Sequence, residues 1–283
     1  MNMQPTISVV TPSFNQVAYL ESTMRSVIEQ EYPGLEYVVI DGGSTDGSVE
    51  AIRKHQKHLS YWVSEADGGH SDALNKGFAR TSGNIMCWIN SSDIHYPWTL
   101  ATVAEVFSAL PQVEWITGIP TELGMAGGPR SVWPAYTNIY DVLAGSAGTI
   151  QQESVFWRRS LWDRAGATLD QTLRCAGDFD LWLRFFRLAP LYHVQTVLGG
   201  FRVHGDRLAD VGDGLYEREM NMLCARMLSA ADERTRRRAR MVRALGTGRG
   251  KFLVRGLEHA GIWTWYKHPR IVFDFELGRW VVT

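Results

Sequence analysis

Short, almost wholly apolar runs alternate with amphipathic segments along the first half of the chain. The apolar runs are bounded by turn residues and are rich in β-branched and aromatic side chains, which is typical of strands covered on both faces. They cover Thr6–Thr11, Leu35–Ile40, Tyr61–Val63 and Ile85–Ile89. Between them, apolar residues recur every three or four positions, as in amphipathic helices. This alternation predicts right-handed βαβ crossovers and a parallel sheet, so we expect an α/β fold.

The pattern is less regular in the second half of the chain. It predicts a helix over Pro97–Leu110 and strands over residues 113–117, 151–157 and 197–203. Residues 119–149 are rich in Gly, Pro, Ala and aromatic residues and have no clean period. That composition suits a mobile acceptor loop or an ordinary surface excursion, and the sequence leaves both open.

Composition changes this picture only by excluding classes of protein. Of the 283 residues 21% are charged and the formal net charge is -1, so nothing points to a nucleic-acid partner. Cys87, Cys175 and Cys224 are far apart, which argues against a disulfide framework or a structural zinc site. The chain enters its first strand without a signal region, and no apolar run reaches the roughly 18–20 residues of a membrane-spanning helix. We therefore expect a cytoplasmic protein.

Small polar residues follow the fourth predicted strand, where Asn90, Ser91, Ser92 and Asp93 supply hydrogen-bonding groups and one carboxylate. In open α/β sheets, ligands bind beyond the carboxyl ends of the strands. A carboxylate oxygen is a hard ligand for Mg²⁺ or Mn²⁺, and these cations bridge readily to phosphate oxygens. On this stretch alone, a plain polar turn explains the residues as well as a metal-phosphate loop does.

A second polar loop, Gly42–Ser48, follows the second predicted strand and is preceded by Asp41. It is not the G-x-G-x-x-G of a dinucleotide-binding fold, whose glycines follow the first strand and whose acidic residue comes about 20 residues later. At a strand end, Asp41 can accept hydrogen bonds from a nucleotide base or ribose, or it can cap a turn. Asp46 is better placed to cap the helix that follows.

Four segments, in order along the chain, resemble the inverting family 2 glycosyltransferases, which have the GT-A fold and use nucleotide-diphosphate sugars. The segments are ISVVTPSFN (7–15), VVIDGGSTDG (38–47), ALNKG (73–77) and NSSD (90–93). The resemblance implies a Rossmann-like GT-A fold with a mixed central sheet. It also implies that the nucleotide is bound by Thr11, Pro12, Ser13, Asn15, Asp41, Asp67, Asn90, Ser91 and Ser92.

The same resemblance makes the 90–93 loop the equivalent of an Asp-x-Asp motif that meets the ribose, the diphosphate and a divalent cation. Asp93 is then the expected ligand of Mn²⁺ or Mg²⁺, together with His204 after the predicted strand 197–203. Taken alone, a histidine at a strand end is also explained by a structural role. Related sequences commonly carry Asp where Ser92 stands and Lys or Arg where His70 stands, so the acidic motif is reduced here to one carboxylate.

A further cluster, CAGDFDLWLRF (175–185), predicts a loop that opens a helix near Asp178. Sugar transfer with inversion needs one carboxylate to take the proton of the acceptor hydroxyl. The segment resembles the Glu-Asp motif of the family, with Gly177 in place of Glu, and the match falls on Asp178 as the base. Asp180 is the alternative, and a charge that favours the start of the helix is the structural explanation of Asp178.

Two residues are candidates for binding the acceptor, which we expect to be a glycan or a lipid-linked sugar. Trp182 lies four residues after Asp178, so the two share a helix face, and its ring offers a flat apolar surface to a sugar. Gln152 lies in the predicted strand 151–157. Like its neighbour Glu153, it faces either the site or solvent.

The character of the chain changes from residue 213 onward, where we expect a helical, basic and aromatic C-terminal extension. Leu215–Leu245 predicts one long helix or two, and six arginines lie between positions 234 and 243. Arginines interleaved with aromatic residues suit peripheral contact with an anionic membrane at its inner face. A solvated helix face followed by a packed tail explains the same residues.

Together these patterns predict a GT-A domain over residues 1–212, with a nucleotide-sugar-binding half (1–110) and an acceptor and catalytic half (111–212). The predicted activity is metal-assisted, single-displacement transfer from a UDP- or dTDP-sugar. Two alternatives stay open. One is a non-catalytic scaffold that binds a nucleotide sugar, which the reduced acidic motif permits. The other is a nucleotidyltransferase, which would need a basic Gly-rich loop after the first strand.

Overall fold

The computed structural model describes residues 4–145, 150–204, 214–245, 256–257 and 260–283. Within these ranges the strands are β1 (Ile7–Ser13), β2 (Leu35–Asp41), β3 (Tyr61–Ser64), β4 (Ile85–Trp88), β5 (Ile94–His95), β6 (Trp115–Thr117), β7 (Thr121–Leu123), β8 (Pro129–Val132), β9 (Val155–Arg158), β10 (Tyr192–Val194), β11 (Gly199–Arg202), β12 (Arg270–Asp274) and β13 (Arg279–Val282). The α-helices are α1 (Val17–Ile28), α2 (Ser48–His55), α3 (His70–Phe78), α4 (Thr99–Ala109), α5 (Ile139–Ala144), α6 (Arg159–Arg164), α7 (Gly177–Phe186), α8 (Leu215–Ala230) and α9 (Glu233–Leu245). Short 3-10 helices cover Gln56–His58 and Gln152–Ser154.

The large sheet has nine strands in the order β13-β12-β10-β6-β9-β4-β1-β2-β3. Strand β1 pairs in parallel with β2 on one side and with β4 on the other. Strand β9 is antiparallel to both β4 and β6. The sheet is therefore mixed, and the expected α/β fold with a mixed central sheet is confirmed.

Strand β1 is the third strand from one edge of this sheet, between β4 and β2, and all seven of its residues are buried. Helix α3 packs closely over it. A Cβ on Gly77 would lie 2.4 Å from Cγ1 of Val10, so a larger residue at this position would push the helix away. Asn75 donates to the carbonyl of Leu169 at 3.0 Å and accepts its N–H at 2.8 Å. The ALNKG segment therefore joins the first half of the chain to the segment before α7.

Aromatic rings fill the space between the sheet and α7. Trp88, Trp115 and Trp157 are fully buried and Trp182 is 2% exposed. The ring of Trp182 stacks on that of Trp88, with centroids 5.5 Å apart and planes 8° apart. Aromatic pairs of this kind contribute about 0.5–1.5 kcal/mol beyond the burial of their area. The cluster fixes α7, and with it the residues at the start of α7, against the sheet.

A second, four-stranded sheet has the order β5-β11-β7-β8. Strand β5 begins at Ile94, immediately after the 90–93 loop, and pairs with β11. Strands β7 and β8 form an antiparallel hairpin inside residues 119–149, where the sequence shows no clean period. This small sheet links the 90–93 loop to the segment that ends in His204.

The C-terminal part of the chain is only partly helical. The helical pattern over Leu215–Leu245 resolves into α8 and α9, two helices rather than one. Strand β12 then pairs in parallel with β10, and β13 pairs with β12 at the edge of the large sheet. The last strands thus belong to the same sheet as β1, and a helical pattern alone could not predict them. No helix among the described residues combines the length and apolar character needed to cross a membrane.

Candidate active site

The carboxyl ends of β1, β2 and β4 meet at one polar edge of the large sheet. In the parallel register, Ser13 at the end of β1 lies opposite Asp41 at the end of β2, and Asp41 lies opposite Ser64 on β3. Strands β2 and β4 leave β1 on opposite sides, which creates the crevice where ligands bind in open α/β sheets.

The Asp41 carboxylate accepts hydrogen bonds mainly from its own loop. Its Oδ2 accepts the N–H groups of Gly43 and Ser44 at 3.2 and 2.9 Å and the hydroxyl of Ser64 at 2.7 Å. Its Oδ1 accepts the Ser44 hydroxyl at 2.5 Å. Asp41 is fully buried. Asp41 therefore holds the Gly-rich loop in the structure, and its expected contact with base and ribose stays a prediction.

Other expected nucleotide contacts in this stretch also have structural partners. The Thr11 hydroxyl is fully buried and shares a hydrogen bond of 2.9 Å with the hydroxyl of Tyr37. Asn15 has a left-handed backbone, with φ of 51°, and accepts a backbone N–H of the Gly-rich loop at 2.9 Å. Pro12 and Ser13 are buried too, and the Ser13 hydroxyl has no hydrogen-bond partner among the described residues.

Asp67 and Phe14 flank Gly42 on the outer side of this edge. A Cβ on Gly42 would lie 3.1 Å from Oδ2 of Asp67 and 3.3 Å from Cδ2 of Phe14, so the glycine leaves room for both. Asp67 accepts the N–H of Gly69 at 2.8 Å, and Phe14 is 61% exposed. The edge thus offers one partly exposed carboxylate and one exposed ring. The sequence pattern did not single out Phe14, although a large apolar residue directly after a buried strand end is a usable signal.

Arg202 of β11 holds the 90–93 loop in place. Its N–H donates to Oδ1 of Asp93 at 2.9 Å, and its Nε donates to the carbonyl of Ser92 at 2.7 Å. Asp93 is 1% exposed and Ser91 is 7% exposed. The side chains of Asn90 and Ser92 are the partly exposed members of the loop.

His70, at the start of α3, joins that helix to the 90–93 loop. Its Nε2 lies 2.9 Å from Oδ1 of Asn90. The preceding residue, Gly69, has a φ of 102°, which favours glycine and lets the chain turn into the helix. The sequence marked His70 only as a departure from the family pattern, and the structure adds it to the polar edge.

Asp93 and His204, the expected ligands of a divalent cation, are both buried. The Asp93 carboxylate accepts the Arg202 N–H and faces inward, and His204 is 6% exposed with its ring 4.8 Å from that of Tyr19. Across the residues that the structure describes, no three His, Cys, Asp or Glu side chains are grouped closely enough to hold a metal ion. Ser92 of the same loop supplies only a hydroxyl. Asp93 and His204 as ligands of Mn²⁺ or Mg²⁺ therefore stay a prediction.

Glu153 is a carboxyl group beneath the loop, and the sequence left its orientation undecided. It is 1% exposed, and neither oxygen has a hydrogen-bond partner in the described part of the chain. Burial and then the nearby charge of Asp93 raise the pKa of Glu153 well above its usual value, which favours the neutral acid. His95 beside it is 2% exposed, and burial lowers the pKa of His95 to about 4. Two buried, uncharged groups thus lie under the 90–93 loop.

Asp178 lies in the first turn of α7, beside the start of α3. A Cβ on Gly177 would lie 2.9 Å from Oγ of Ser71, so the two helix starts touch, which explains glycine at this position. Asp178 is partly buried. Burial raises the pKa of Asp178 to about 6, against the opposing effect of the Phe179 N–H at 2.7 Å. Such a carboxylate is still largely ionised at pH 7 and is a better proton acceptor than an ordinary aspartate.

Asp180, the alternative base, is already neutralised by cations. Its Oδ2 lies 2.9 Å from Nε of Arg184, and its Oδ1 lies 3.1 Å from Nη2 of Arg226. It is 5% exposed. Asp180 therefore connects α7 to α8, and Asp178 is the carboxylate of this pair that stays available.

The two residues expected to bind the acceptor lie inside the protein. Trp182 is 2% exposed and stacks between other core tryptophans, so its faces are covered. Gln152 is 7% exposed and donates its amide to the carbonyl of Trp88. The helical spacing placed Trp182 on the same side as Asp178, but one turn deeper in the core. Both residues stabilise the fold where they stand.

Comparison with known proteins gives a consistent result. The family model described as glycosyl transferase family 2 matches residues 8–124. The uncharacterized glycosyltransferase Rv1514c of Mycobacterium tuberculosis (strain ATCC 25618 / H37Rv) is 33% identical over 207 residues, which cover 72% of this chain and 78% of that protein.

Two solved structures are similar in fold. S. aureus TarS 1-349 in complex with UDP-GlcNAc matches with a TM-score of 0.67 and 17% identity, over 92% of this chain and 75% of the TarS chain. The mannosyltransferase PcManGT from Pyrobaculum calidifontis, in complex with GDP-Man and Mn²⁺, matches with a TM-score of 0.54 and 19% identity, over 93% and 84%. At these identities the two structures support the fold alone.

Proposed function

Because the chain belongs to glycosyl transferase family 2, we propose that it moves a sugar from a nucleotide-diphosphate donor to an acceptor hydroxyl with inversion at the anomeric carbon. The supporting observation is Asp178, a partly buried carboxylate whose pKa is raised to about 6 by burial, beside the start of α3. Asp178 takes the acceptor proton while the acceptor oxygen attacks opposite the leaving diphosphate. A positioned base contributes roughly 10²–10⁴-fold to such a step.

The base and ribose of the donor are assigned to Asp67 and Phe14, since Asp41 is occupied by its own loop. The exposed ring of Phe14 suits stacking on a nucleotide base. The Asp67 carboxylate suits hydrogen bonds from a base N–H or a ribose hydroxyl. A UDP- or dTDP-sugar is the proposed donor, whose base can donate its ring N–H to the Asp67 carboxylate. TarS, which is similar in fold, was solved in complex with UDP-GlcNAc.

The diphosphate is assigned to the space between Asn90, His70 and the start of α3. The first N–H groups of a helix favour an anion, and the Asn90 side-chain amide can donate to a phosphate oxygen. The ring of His70 already bonds Asn90 of the 90–93 loop. Ser71 of α3 also lies against the start of α7 that carries Asp178, which supports this assignment.

Mn²⁺ or Mg²⁺ with Asp93 and His204 as ligands stays a prediction, because the described residues form no preformed cation site. No step of the transfer is assigned to a cation. Its involvement is tested by the Ser92 substitution described in the Discussion.

The acceptor is proposed to be a glycan or a lipid-linked sugar, and peripheral membrane contact would suit the second case. Arg234, Arg237 and Arg243 of α9 are exposed and have no carboxylate within salt-bridge distance in the described part of the chain. Anionic lipid suits such a surface. The test is a variant in which all three arginines are replaced by serine. If this variant and the wild type sediment equally with phosphatidylserine vesicles, the proposed membrane contact is refuted.

The proposed function is tested by binding and turnover together. UDP, dTDP, GDP and CMP are compared for thermal stabilisation with and without Mn²⁺, since a ligand that binds only the native state raises its stability. The stabilising nucleotide identifies the donors to assay for transfer, and NMR of the product gives the anomeric configuration. Transfer with retention would disprove the inverting mechanism. Nucleotide binding without turnover of any donor would favour the scaffold alternative.

A further inference from the structure

The start of α7, which carries Asp178, is bound by a carboxylate from a distant helix. Glu219 of α8 accepts the backbone N–H groups of Arg174 and Cys175 at 2.9 Å each and of Ala176 at 2.8 Å. The partners are separated by 43 to 45 residues along the chain. One side chain therefore binds three consecutive amides immediately before the helix of the candidate base.

This contact fixes the loop that leads into α7, whose start has no local side-chain cap. The N-cap residue of α7 is Ala176, and no side chain caps this helix start locally. The amides that Glu219 binds belong to the N-cap residue and the two residues before it, and the partial positive charge at the helix N-terminus also favours a nearby anion. Burial opposes ionisation of Glu219, but the three N–H groups outweigh it and lower the pKa of Glu219. Glu219 is thus an ionised acceptor at neutral pH.

Other residues of α8 also pack against α7 or the loop before it. Arg226, about two turns after Glu219, pairs with Asp180 at 3.1 Å. Leu223 between them packs into a buried apolar cluster with Ala176 and Leu183. Tyr216, one turn before Glu219, packs against the same cluster. Burial and then the Asp178 charge raise the pKa of Tyr216 well above its usual value. Helix α8 therefore packs against α7 over more than two helical turns.

We infer that Glu219 is a positioning residue for the transfer reaction, which orients the Asp178 carboxylate by fixing the backbone of residues 174–176. The inference rests on the proposed function, in which Asp178 is the base. It makes α8 part of the catalytic unit, whereas the sequence placed α8 in a separate extension. Small displacements of a reacting group are costly, since a misplacement of about 1 Å can lower a rate about 10²-fold.

Glu219→Gln is the informative variant, because it keeps the shape of the side chain. A glutamine has one acceptor oxygen, and its NH₂ group would face amide donors that it cannot accept. We expect kcat to fall roughly 10- to 100-fold while the donor KM changes less than about twofold, since the donor edge is built from β1, β2, β4 and α3. We also expect the acid limb of the kcat/KM profile to move below about pH 6, because a loosened helix start lets water reach Asp178.

Glu217→Gln is the matched control, because Glu217 is exposed on the same helix and the substitution removes the same charge. It should behave as the wild type in kcat, donor KM and pH profile. A Glu219→Gln enzyme with wild-type kcat would overturn the inference, and so would equal losses in kcat and donor affinity with an unmoved acid limb. If Glu219→Gln does not fold by circular dichroism, the same readouts are taken on Glu219→Asp, which keeps the charge on a shorter arm. A wild-type kcat and pH profile there would overturn the inference equally.

The proposed function fails separately from this inference. A wild-type protein that turns over no donor, or an Asp178→Asn variant with full activity, would refute the proposed function itself. Wild-type turnover that is lost in Asp178→Asn and kept in Glu219→Gln would refute only the positioning role.

Discussion

Asp178 and Asp180 lie two residues apart in α7, yet Asp180 is paired with Arg184 at 2.9 Å, whereas Asp178 has no cationic partner in the described part of the chain. The helix turns one carboxylate toward α8 and its arginine and leaves the other beside the start of α3. The two aspartates therefore have different surroundings. These surroundings, and not the positions in the sequence, distinguish the structural aspartate from the candidate base.

Substituting these two aspartates should give opposite results. Asp178→Asn should lower the transfer rate roughly 10²–10⁴-fold, because no other carboxylate takes its place as base. Its stability at pH 8 should equal or exceed that of the wild type, since it removes a desolvated charge. Asp180→Asn should lower the free energy of unfolding by about 1–3 kcal/mol, since it leaves arginines without their partner. Turnover assays and urea unfolding check both, and an inactive but fully stable Asp180→Asn would reverse the assignment.

The rate should depend on pH through Asp178. Its pKa of about 6 means that the carboxylate gains a proton below that pH, so kcat/KM should fall on acidification through pH 6. The effect on stability has the opposite sign. The folded state holds this proton more tightly than the unfolded chain, so the stability from this group is present below about pH 4 and is lost as pH rises through about 6. A kcat/KM profile measured from pH 4.5 to 8.5 with the best donor checks the first statement, and a flat profile would contradict it.

Asp41 and Asp67 should differ as structural and ligand-binding residues. Asp41→Asn should destabilise the fold by about 2–4 kcal/mol, because its carboxylate accepts two backbone N–H groups and two side-chain hydroxyls. Asp67→Asn should leave the melting temperature within a degree or two and raise the Kd of the nucleotide by about 10- to 100-fold. Calorimetry with the stabilising nucleotide checks the affinity. If Asp67→Asn binds the nucleotide as tightly as the wild type, another residue must bind the base and ribose.

Glu153 should make the protein less stable at alkaline pH. Its folded-state pKa is raised well above 4.5 by burial and by Asp93, so its contribution to stability is present at low pH and is lost as pH rises through the raised value. Glu153→Gln imitates the neutral acid and cannot ionise. We expect it to match the wild type near pH 5 and to lose less stability than the wild type by pH 9. Denaturant unfolding at both values checks this, and parallel losses in the two proteins would contradict it.

Ser92 should limit the affinity for a divalent cation. It occupies the partly exposed position of the loop, whereas Asp93 is 1% exposed and accepts the Arg202 N–H. Ser92→Asp should therefore bind Mn²⁺ in the presence of UDP about 10-fold more tightly than the wild type, because carboxylate oxygen is a hard ligand. Ser92→Asn, which adds no charge, is the control. Free Mn²⁺ is measured by electron paramagnetic resonance, and equal binding by all three proteins would show that position 92 does not meet the cation.

The α/β fold was predictable because its evidence is local. A continuous apolar run such as Ile85–Ile89 indicates a buried strand, because burying polar side chains on both faces of a strand costs free energy. The helical spacing between such runs likewise indicates which face of each helix is buried. The helix start near Asp178 was predictable for the same kind of reason. The strands after residue 270 were not, because a few β-branched residues become a strand only when an edge such as β10 is there to pair with them.

The sequence by itself determined which polar residues stand at the ends of the central strands, and it singled out Asp178, Asp67 and the 90–93 loop. Only the tertiary structure decided which of their side chains remain available. In the folded chain, Asp41 accepts hydrogen bonds from its own loop and Asp93 accepts an N–H of Arg202. Trp182 is buried in the core, and Glu219 lies at the start of α7. Hydrogen-bond saturation and burial arise from contacts between segments far apart in the chain, and no periodicity along one segment contains that information.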